Sequence, residues 1–267
     1  MAVYKTTVGN VELVSLTDGG APKPPAEVFP TGRLEQWRAD FPDLLDADDN
    51  IHLRFGSLAV YSGGKLIVVD TGIGAPDGEM MEDMRRKGVD REAVQLVVTT
   101  HLHPDHVGWN LTDGSPTFPQ ARYLVPRTDW EYWTQPSVLE NSPHIRDQVM
   151  PLDEQRVLDL IEEEYQVTDE LTTLSTPGHT PGHISIAIFS AGQRGFILGD
   201  VAHSPAQAHQ TDWNPGFDVD QQLSPKTRHR VLDRLEADGS LVAASHFPDP
   251  GFGRFVRREG RRIWQVL

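Results

Sequence analysis

The segment Thr99-Thr100-His101-Leu102-His103-Pro104-Asp105-His106-Val107-Gly108 restricts what this chain can become more than any other stretch. It follows Gln95-Leu96-Val97-Val98, a short apolar, β-branched run that reads as a buried strand. Three imidazoles and a carboxylate therefore leave a strand end together, where a loop can fold back and aim them at one point. Histidines crowded and desolvated in this way repel one another when protonated, so they must stay neutral. A bound divalent cation is the simplest agent that holds them so. Imidazole nitrogen and carboxylate oxygen suit zinc and its neighbours. A lone His-x-His would read as a polar loop; the full His-x-His-x-Asp-His block after a strand reads as a metal loop.

That block resembles the metal-binding motif of the metallo-β-lactamase-fold superfamily. The resemblance implies three further ligands downstream: a His, an Asp and a last His, each at the end of a strand. The candidates are His179 in Thr176-Pro177-Gly178-His179-Thr180-Pro181-Gly182-His183, Asp200 in Phe196-Ile197-Leu198-Gly199-Asp200, and His246 in Leu241-Val242-Ala243-Ala244-Ser245-His246. It further implies that His101, His103 and His179 bind one metal, that Asp105, His106 and His246 bind a second, and that Asp200 bridges the two. The implied fold is α/β (α+β), a four-layer αββα sandwich of two mixed β-sheets with helices outside. Asp70, at the end of Lys65–Val69 in Asp70-Thr71-Gly72, would lie behind the metal and fix a ligand histidine from its far nitrogen. The alternative is an Asp that caps the following turn.

Composition narrows the choice. The chain has 267 residues, enough for a sizeable core, and no composition break divides it, so one domain over 1–267 is expected. With no cysteine there is neither a disulfide nor a Cys-ligated zinc, which removes those metallo-β-lactamases that use a Cys ligand. A net charge of -15 has the wrong sign for a nucleic-acid substrate. No apolar run approaches a membrane span, and Met1-Ala2-Val3-Tyr4-Lys5 lacks a secretory pattern, so a cytoplasmic protein acting on a small molecule is expected.

Along the chain, Val3 to Val8 and Val11 to Leu16 read as an opening hairpin about Gly9-Asn10. Gly19-Gly20-Ala21-Pro22-Lys23-Pro24-Pro25 reads as irregular. A short helix within Gly32 to Leu45, with Leu34, Trp37 and Phe41 on one face, would pack on the core or form a cap over the site. His52 to Tyr61 and Lys65 to Val69 read as a hairpin, and Glu79 to Lys87 as a helix stopped by Gly88. Trp130 and Trp133 share one side of a helix and would pack inward, line an entrance or meet a second subunit; a homodimer is one assembly the family adopts. Gln135 to Gln166 reads as loop and helix, with Val157, Leu158 and Ile161 as the apolar side. His183 reads as a non-ligand that opens the strand Ile184 to Phe189. Ser224-Pro225 starts a helix that Gly239 stops.

By resemblance, two ions, zinc or else manganese, cobalt or iron, would share a water and turn it into a hydroxide nucleophile near neutral pH. Asp105 would shuttle the proton. Lactamase subgroups lack the bridging Asp, whereas lactonases and phosphotriesterase-like relatives carry it, so hydrolysis of a lactone or related carboxylic ester is the expected activity. Acyl-homoserine lactonases place a Tyr three residues after the bridging Asp. Here that position is His203, which together with Phe217-Asp218-Val219-Asp220 is more similar to the methyl-parathion-hydrolase-like branch. His203 would then be either a substrate-facing donor or a packed residue. The alternatives are phosphotriester hydrolysis or hydrolytic dehalogenation at the same site, and a non-catalytic metal-binding protein.

Overall fold

A computed structural model describes residues 4–267. Two seven-stranded sheets face one another. The first runs in the order Lys5–Val8, Val11–Lys23, Ile51–Ser62, Lys65–Val69, Val94–Val98, Arg122–Pro126, Leu158–Ile161. The second runs Gln166–Thr168, Leu171–Ser175, Ile184–Ser190, Gln193–Ile197, Leu241–Ala243, Phe252–Arg258, Arg261–Val266. Both are mixed. Lys65–Val69, Val94–Val98, Arg122–Pro126 and Leu158–Ile161 are parallel neighbours, as are Gln193–Ile197 and Leu241–Ala243, while the remaining pairs are antiparallel.

Three apolar layers hold this arrangement together. Val60, Ile67, Val98, Ile184, Ile186 and Ile197 interdigitate between the sheets. On the outer face of the first sheet, Val68, Val97 and Tyr123 receive Met80 and Met84 from the helix Met80–Lys87, together with Ile145 and Leu152. On the outer face of the second, Phe196 and Val242 receive Val231, Leu232 and Leu235 from the helix Leu223–Asp238. Near-continuous apolar strands such as Val94–Val98 are what a sheet covered on both faces requires. The αββα sandwich expected from the sequence is therefore the observed one. No helix among the described residues is long and apolar enough to cross a membrane.

Two expectations are corrected. Residues 19–23 are strand, not irregular: Val11–Lys23 continues past a register shift between Thr17 and Gly20 and pairs Pro22 with His52 and Lys23 with Ile51. The first strand covers only Val11 to Val14, so beyond it this strand is an edge, where a proline lacking its N–H is tolerated. The second correction falls on Leu158–Ile161, which is a strand, while helix is confined to short segments such as Pro143–Gln148 and Met150–Glu154. Short apolar runs carry no periodicity that separates helix from strand, and parallel pairing with Arg122–Pro126 decides this one. Of the opening hairpin, Val3 lies outside the described residues; Lys5–Val8 pairs with Val11–Val14 as expected.

Candidate metal centre

Topology delivers the site. Lys65–Val69, Val94–Val98, Leu171–Ser175, Gln193–Ile197 and Leu241–Ala243 all end at one edge of the sandwich, and each hands over to a loop bearing a polar residue. The loop after Val98 turns at once into the short helix Pro104–Val107, which brings Asp105 and His106 back toward His101. Gly108 closes this turn against the loop that follows Lys65–Val69: a Cβ there would lie 2.1 Å from the Ile73 carbonyl carbon, so only glycine fits.

All seven residues singled out as ligands by resemblance come together at this edge. His101 Nε2, His103 Nδ1 and His179 Nε2 form a triangle with edges of 3.1, 2.8 and 3.1 Å. Asp105 Oδ2 lies 3.6 Å from both His106 Nε2 and His246 Nε2. Between the two groups stands Asp200. Its Oδ2 is 3.0 Å from His246 Nε2, 3.2 Å from His179 Nε2, 3.3 Å from His106 Nε2 and 3.7 Å from His101 Nε2.

The outward nitrogens explain why the inward ones converge. His106 Nδ1 donates to Asp70 Oδ2 at 2.9 Å, His179 Nδ1 to Asp218 Oδ1 at 2.7 Å, and His246 Nδ1 to the Arg54 carbonyl at 2.7 Å. His101 Nδ1 meets Thr100 Oγ1, which itself donates to Asp70 Oδ2. With these four Nδ1 protons spoken for, the Nε2 lone pairs of His101, His106, His179 and His246 face the centre, where His103 instead presents Nδ1. Asp70 is thus a support behind His106, and also accepts from the Thr100 N–H at 2.7 Å.

Buried lone pairs packed this closely repel unless a cation lies among them. His106 Nε2 and Asp200 Oδ1 are buried with no hydrogen-bond partner. Such orphaned groups are rare in folded proteins and fit a position that a cation fills. Triangle edges near 3 Å let one ion touch all three nitrogens at the roughly 2.0–2.1 Å of a zinc–imidazole bond. The residues present therefore fit divalent metal.

Electrostatics point the same way. Burial and the neighbouring imidazoles push His101 and His103 well below the ordinary histidine value. Burial opposes charge on His106 as well, yet the carboxylates of Asp200, Asp105 and Asp70 raise it well above that value. His179 is raised, against its burial, to about 9 by its bonds to Asp200 and Asp218. Asp200 stays well below the usual carboxylate range despite burial because imidazoles, His106 and His246 foremost, surround it. The lone pairs of His106 and His179, where the carboxylates favour a proton despite burial, would serve a metal ion equally, and the two compete.

His203 is brought into the site but not as a free donor. It is buried, its Nε2 lies 3.0 Å from Asp200 Oδ2, and its ring stacks on His246 at 5.1 Å and 13°. Burial lowers it to about 4, so the ring is neutral and the Nε2 proton goes to Asp200. His183 is not a ligand: its Nε2 accepts from the Asp200 N–H at 2.8 Å, and burial pushes it down to about 3. Trp133 packs edge-on against His103 at 5.3 Å, so the inward reading of that aromatic pair holds for it.

The supports Asp218, His183 and the Arg54 carbonyl are not recognisable as such from the sequence. Each acts across a long chain separation, and no local spacing marks it. Asp218 is itself fixed by Arg228, whose fully buried guanidinium also donates to the Val201, Thr211 and Trp213 carbonyls.

Two hollows open onto the cluster. One, of about 320 Å³, is walled by Leu53, Phe55, Ile73, Pro104 and Phe217 with His103, Asp105, Asp200, His203 and His246. The other, of about 290 Å³, lies between Leu44, Leu45, Asn50 and His52 on one side and Ser204 and Pro248 on the other. The stacked rings of His203 and His246 border both.

An αββα sandwich with a His/Asp donor cluster at one sheet edge defines a class of metal-binding folds. The family model of the metallo-beta-lactamase superfamily matches residues 56–246, and the chain belongs to that superfamily. Among curated relatives, the N-acyl homoserine lactonase AiiA of Bacillus thuringiensis subsp. kurstaki is 24% identical over 163 residues, 61% of this chain and 60% of that protein. The N-acyl homoserine lactonase AttM of Rhizobium radiobacter is 27% identical over 177 residues, 65% of each. The chain thus matches less than two thirds of these relatives' length. Among solved structures, the hydrolase AbOPH in the beta lactamase superfamily superposes with a TM-score of 0.90 at 24% identity, covering 99% of this chain and 97% of that one. AidC, a dizinc quorum-quenching lactonase, superposes with a TM-score of 0.85 at 22% identity, covering 98% and 96%.

Proposed function

We propose that this chain is a single-domain, dinuclear zinc hydrolase acting on a lactone or related carboxylic ester. The observation that carries this reading is Asp200, one buried carboxylate oxygen within 3.0–3.7 Å of imidazole nitrogens from both ligand groups, at the floor of an apolar hollow. The lactonase names of AiiA and AttM support the substrate class. His101, His103 and His179 would hold one ion, Asp105, His106 and His246 the other, with Asp200 shared. Two such ions, when bound, supply Lewis acidity and an activated water.

The chain's own groups do the rest. Leu53, Phe55, Ile73 and Phe217 take the apolar part of the substrate out of water and keep the carbonyl over the cluster. Asp105, at the wall of this hollow, is the more exposed of the two carboxylates that line it, and it moves the proton to the leaving alkoxide. His203 keeps Asp200 oriented through Nε2 and, stacked on His246, borders both hollows, so a substrate seated at the cluster can extend a substituent into either.

Turnover of a lactone, an aryl ester and a phosphotriester by one zinc-loaded preparation tests the reading. Lactone or ester cleavage is expected to dominate; cleavage of the phosphotriester alone would overturn it. The metal supports give a second expectation. Asp218→Asn keeps an acceptor for His179 Nδ1 but removes the charge, and zinc retention in chelator competition should fall roughly 10- to 100-fold. Retention equal to the parent's would remove Asp218 from the metal's support.

A further inference from the structure

The His101-x-His103 loop ends a strand of the first sheet and the His179 loop ends a strand of the second. No sheet hydrogen bond joins those strands. The separation of the two loops must therefore be set by something else. One link is backbone: the Ile184 N–H donates to the Thr100 carbonyl at 2.9 Å. A second, apart from the converging histidines themselves, is a single side chain, Asp129, at the start of the helix Arg127–Trp133.

Asp129 is fully buried and uses both carboxylate oxygens. Oδ2 accepts from the Leu102 N–H at 2.8 Å, between two of the ligand histidines. Oδ1 accepts from the Gly182 N–H at 2.7 Å, three residues after His179. The approach is close enough that a Cβ on Gly182 would lie 2.2 Å from the Asp129 nitrogen. A rigid carboxylate that accepts one N–H from each loop fixes their spacing as a two-point clamp, because neither loop can shift without leaving a buried donor or acceptor unpaired.

We propose that Asp129 is a positioning residue that sets the spacing of the His101-x-His103 loop against the His179 loop, and with it the three-nitrogen triangle of one metal site. The proposal rests on the two-ion reading above. It makes the clamp's effect uneven: Asp129 bonds directly to the two loops that carry the three-nitrogen triangle, whereas the other ion, though it shares Asp200 and the same histidine loop, is also held through Asp70 behind His106 and the Arg54 carbonyl behind His246.

The test uses cobalt(II) as the probe, titrated into the metal-free full-length chain against a chromophoric chelator, with the visible absorption of the bound ion as a second readout. In Asp129→Asn the amide nitrogen must point an N–H at one of the two backbone N–H groups, which breaks one arm of the clamp. One of two cobalt ions is expected to bind tenfold or more weakly, with a changed absorption envelope, while the other is weakened less. Asp83→Asn serves as the stability control. Asp83 is equally buried and accepts from the Thr17 N–H at 2.8 Å, remote from the metal loops, so its loss should lower the melting temperature and leave cobalt binding alone. Asp129→Asn that melts lower but binds both ions with the parent's affinity and spectrum would overturn the clamp. Gly182→Ala, which crowds Asp129 directly, should reproduce the uneven weakening; if Asp129→Asn does not fold, parent-like binding of both ions by Gly182→Ala overturns the clamp in its place. A parent chain that binds no cobalt overturns the two-ion reading together with the clamp.

Discussion

Asp200→Asn is expected to remove one of two bound ions and to lower ester turnover by on the order of a thousandfold or more, which corresponds to about 4 kcal/mol of transition-state stabilisation. The carboxylate is buried, held ionised by the imidazoles around it, and offers one oxygen to His101, His106, His179, His203 and His246 at once. An amide of the same shape carries no charge, and one of its two ends presents hydrogens to lone pairs. Two cations placed side by side would then lose the negative charge between them. The backbone of residue 200 should not move, since His183 still accepts its N–H. Elemental analysis of purified protein, read beside turnover, separates the outcomes. Loss of one ion with loss of turnover supports the shared carboxylate; full metal content in the variant removes it.

The candidate ligand residues are legible in the sequence through the resemblance carried by the His-x-His-x-Asp-His block, and the histidine loop, Asp200 and His246 also each follow an apolar run that ends a strand. In parallel neighbours, strand ends are gathered at one edge by topology alone. Val94–Val98 delivers the histidine loop, Gln193–Ile197 delivers Asp200 and Leu241–Ala243 delivers His246, so an αββα reading already implies convergence. The supports are not legible. Asp218 reaches His179 from 39 positions away, and Asp129 reaches Leu102 and Gly182 from 27 and 53 positions away. An aspartate in a loop or at a helix start looks the same whether it caps a turn or holds a ligand. The edge strand at Gly19 to Lys23 is hidden for a related reason: its composition of glycine and proline signals a turn, and only knowledge that its outer side is unpaired makes it admissible as a strand. His203 shows the limit on the chemical side. Its position three residues after Asp200 is visible, but the direction of its Nε2 proton follows from burial and from Asp200, neither of which is local.

Trp37→Ala is expected to destabilise the fold by about 3–5 kcal/mol, the range for removing a large aromatic side chain from a packed core. The segment that carries it, Leu34–Asp40, admits two readings from sequence, a helix packed on the body or a cap over the site. Trp37 is fully buried, with its ring 5.0 Å from Trp213, 5.6 Å from Phe29 and 5.7 Å from Phe41. Its Nε1 has no hydrogen-bond partner, so the loss is one of apolar packing and of the cavity left behind. The same cluster supports the chain that turns through Pro42–Leu44 into Ile51–Ser62, and Leu44, Leu45 and His52 on that stretch line the hollow bordered by His203. Packing and capping are therefore two consequences of one aromatic cluster. Truncating Trp37 should shift the denaturant midpoint by the full core penalty and raise KM more than it lowers kcat, with metal content unchanged, because no ligand or ligand support lies on this segment. A loss below about 1 kcal/mol would show instead that the segment is detachable from the body, as expected of an exposed surface helix rather than a core element.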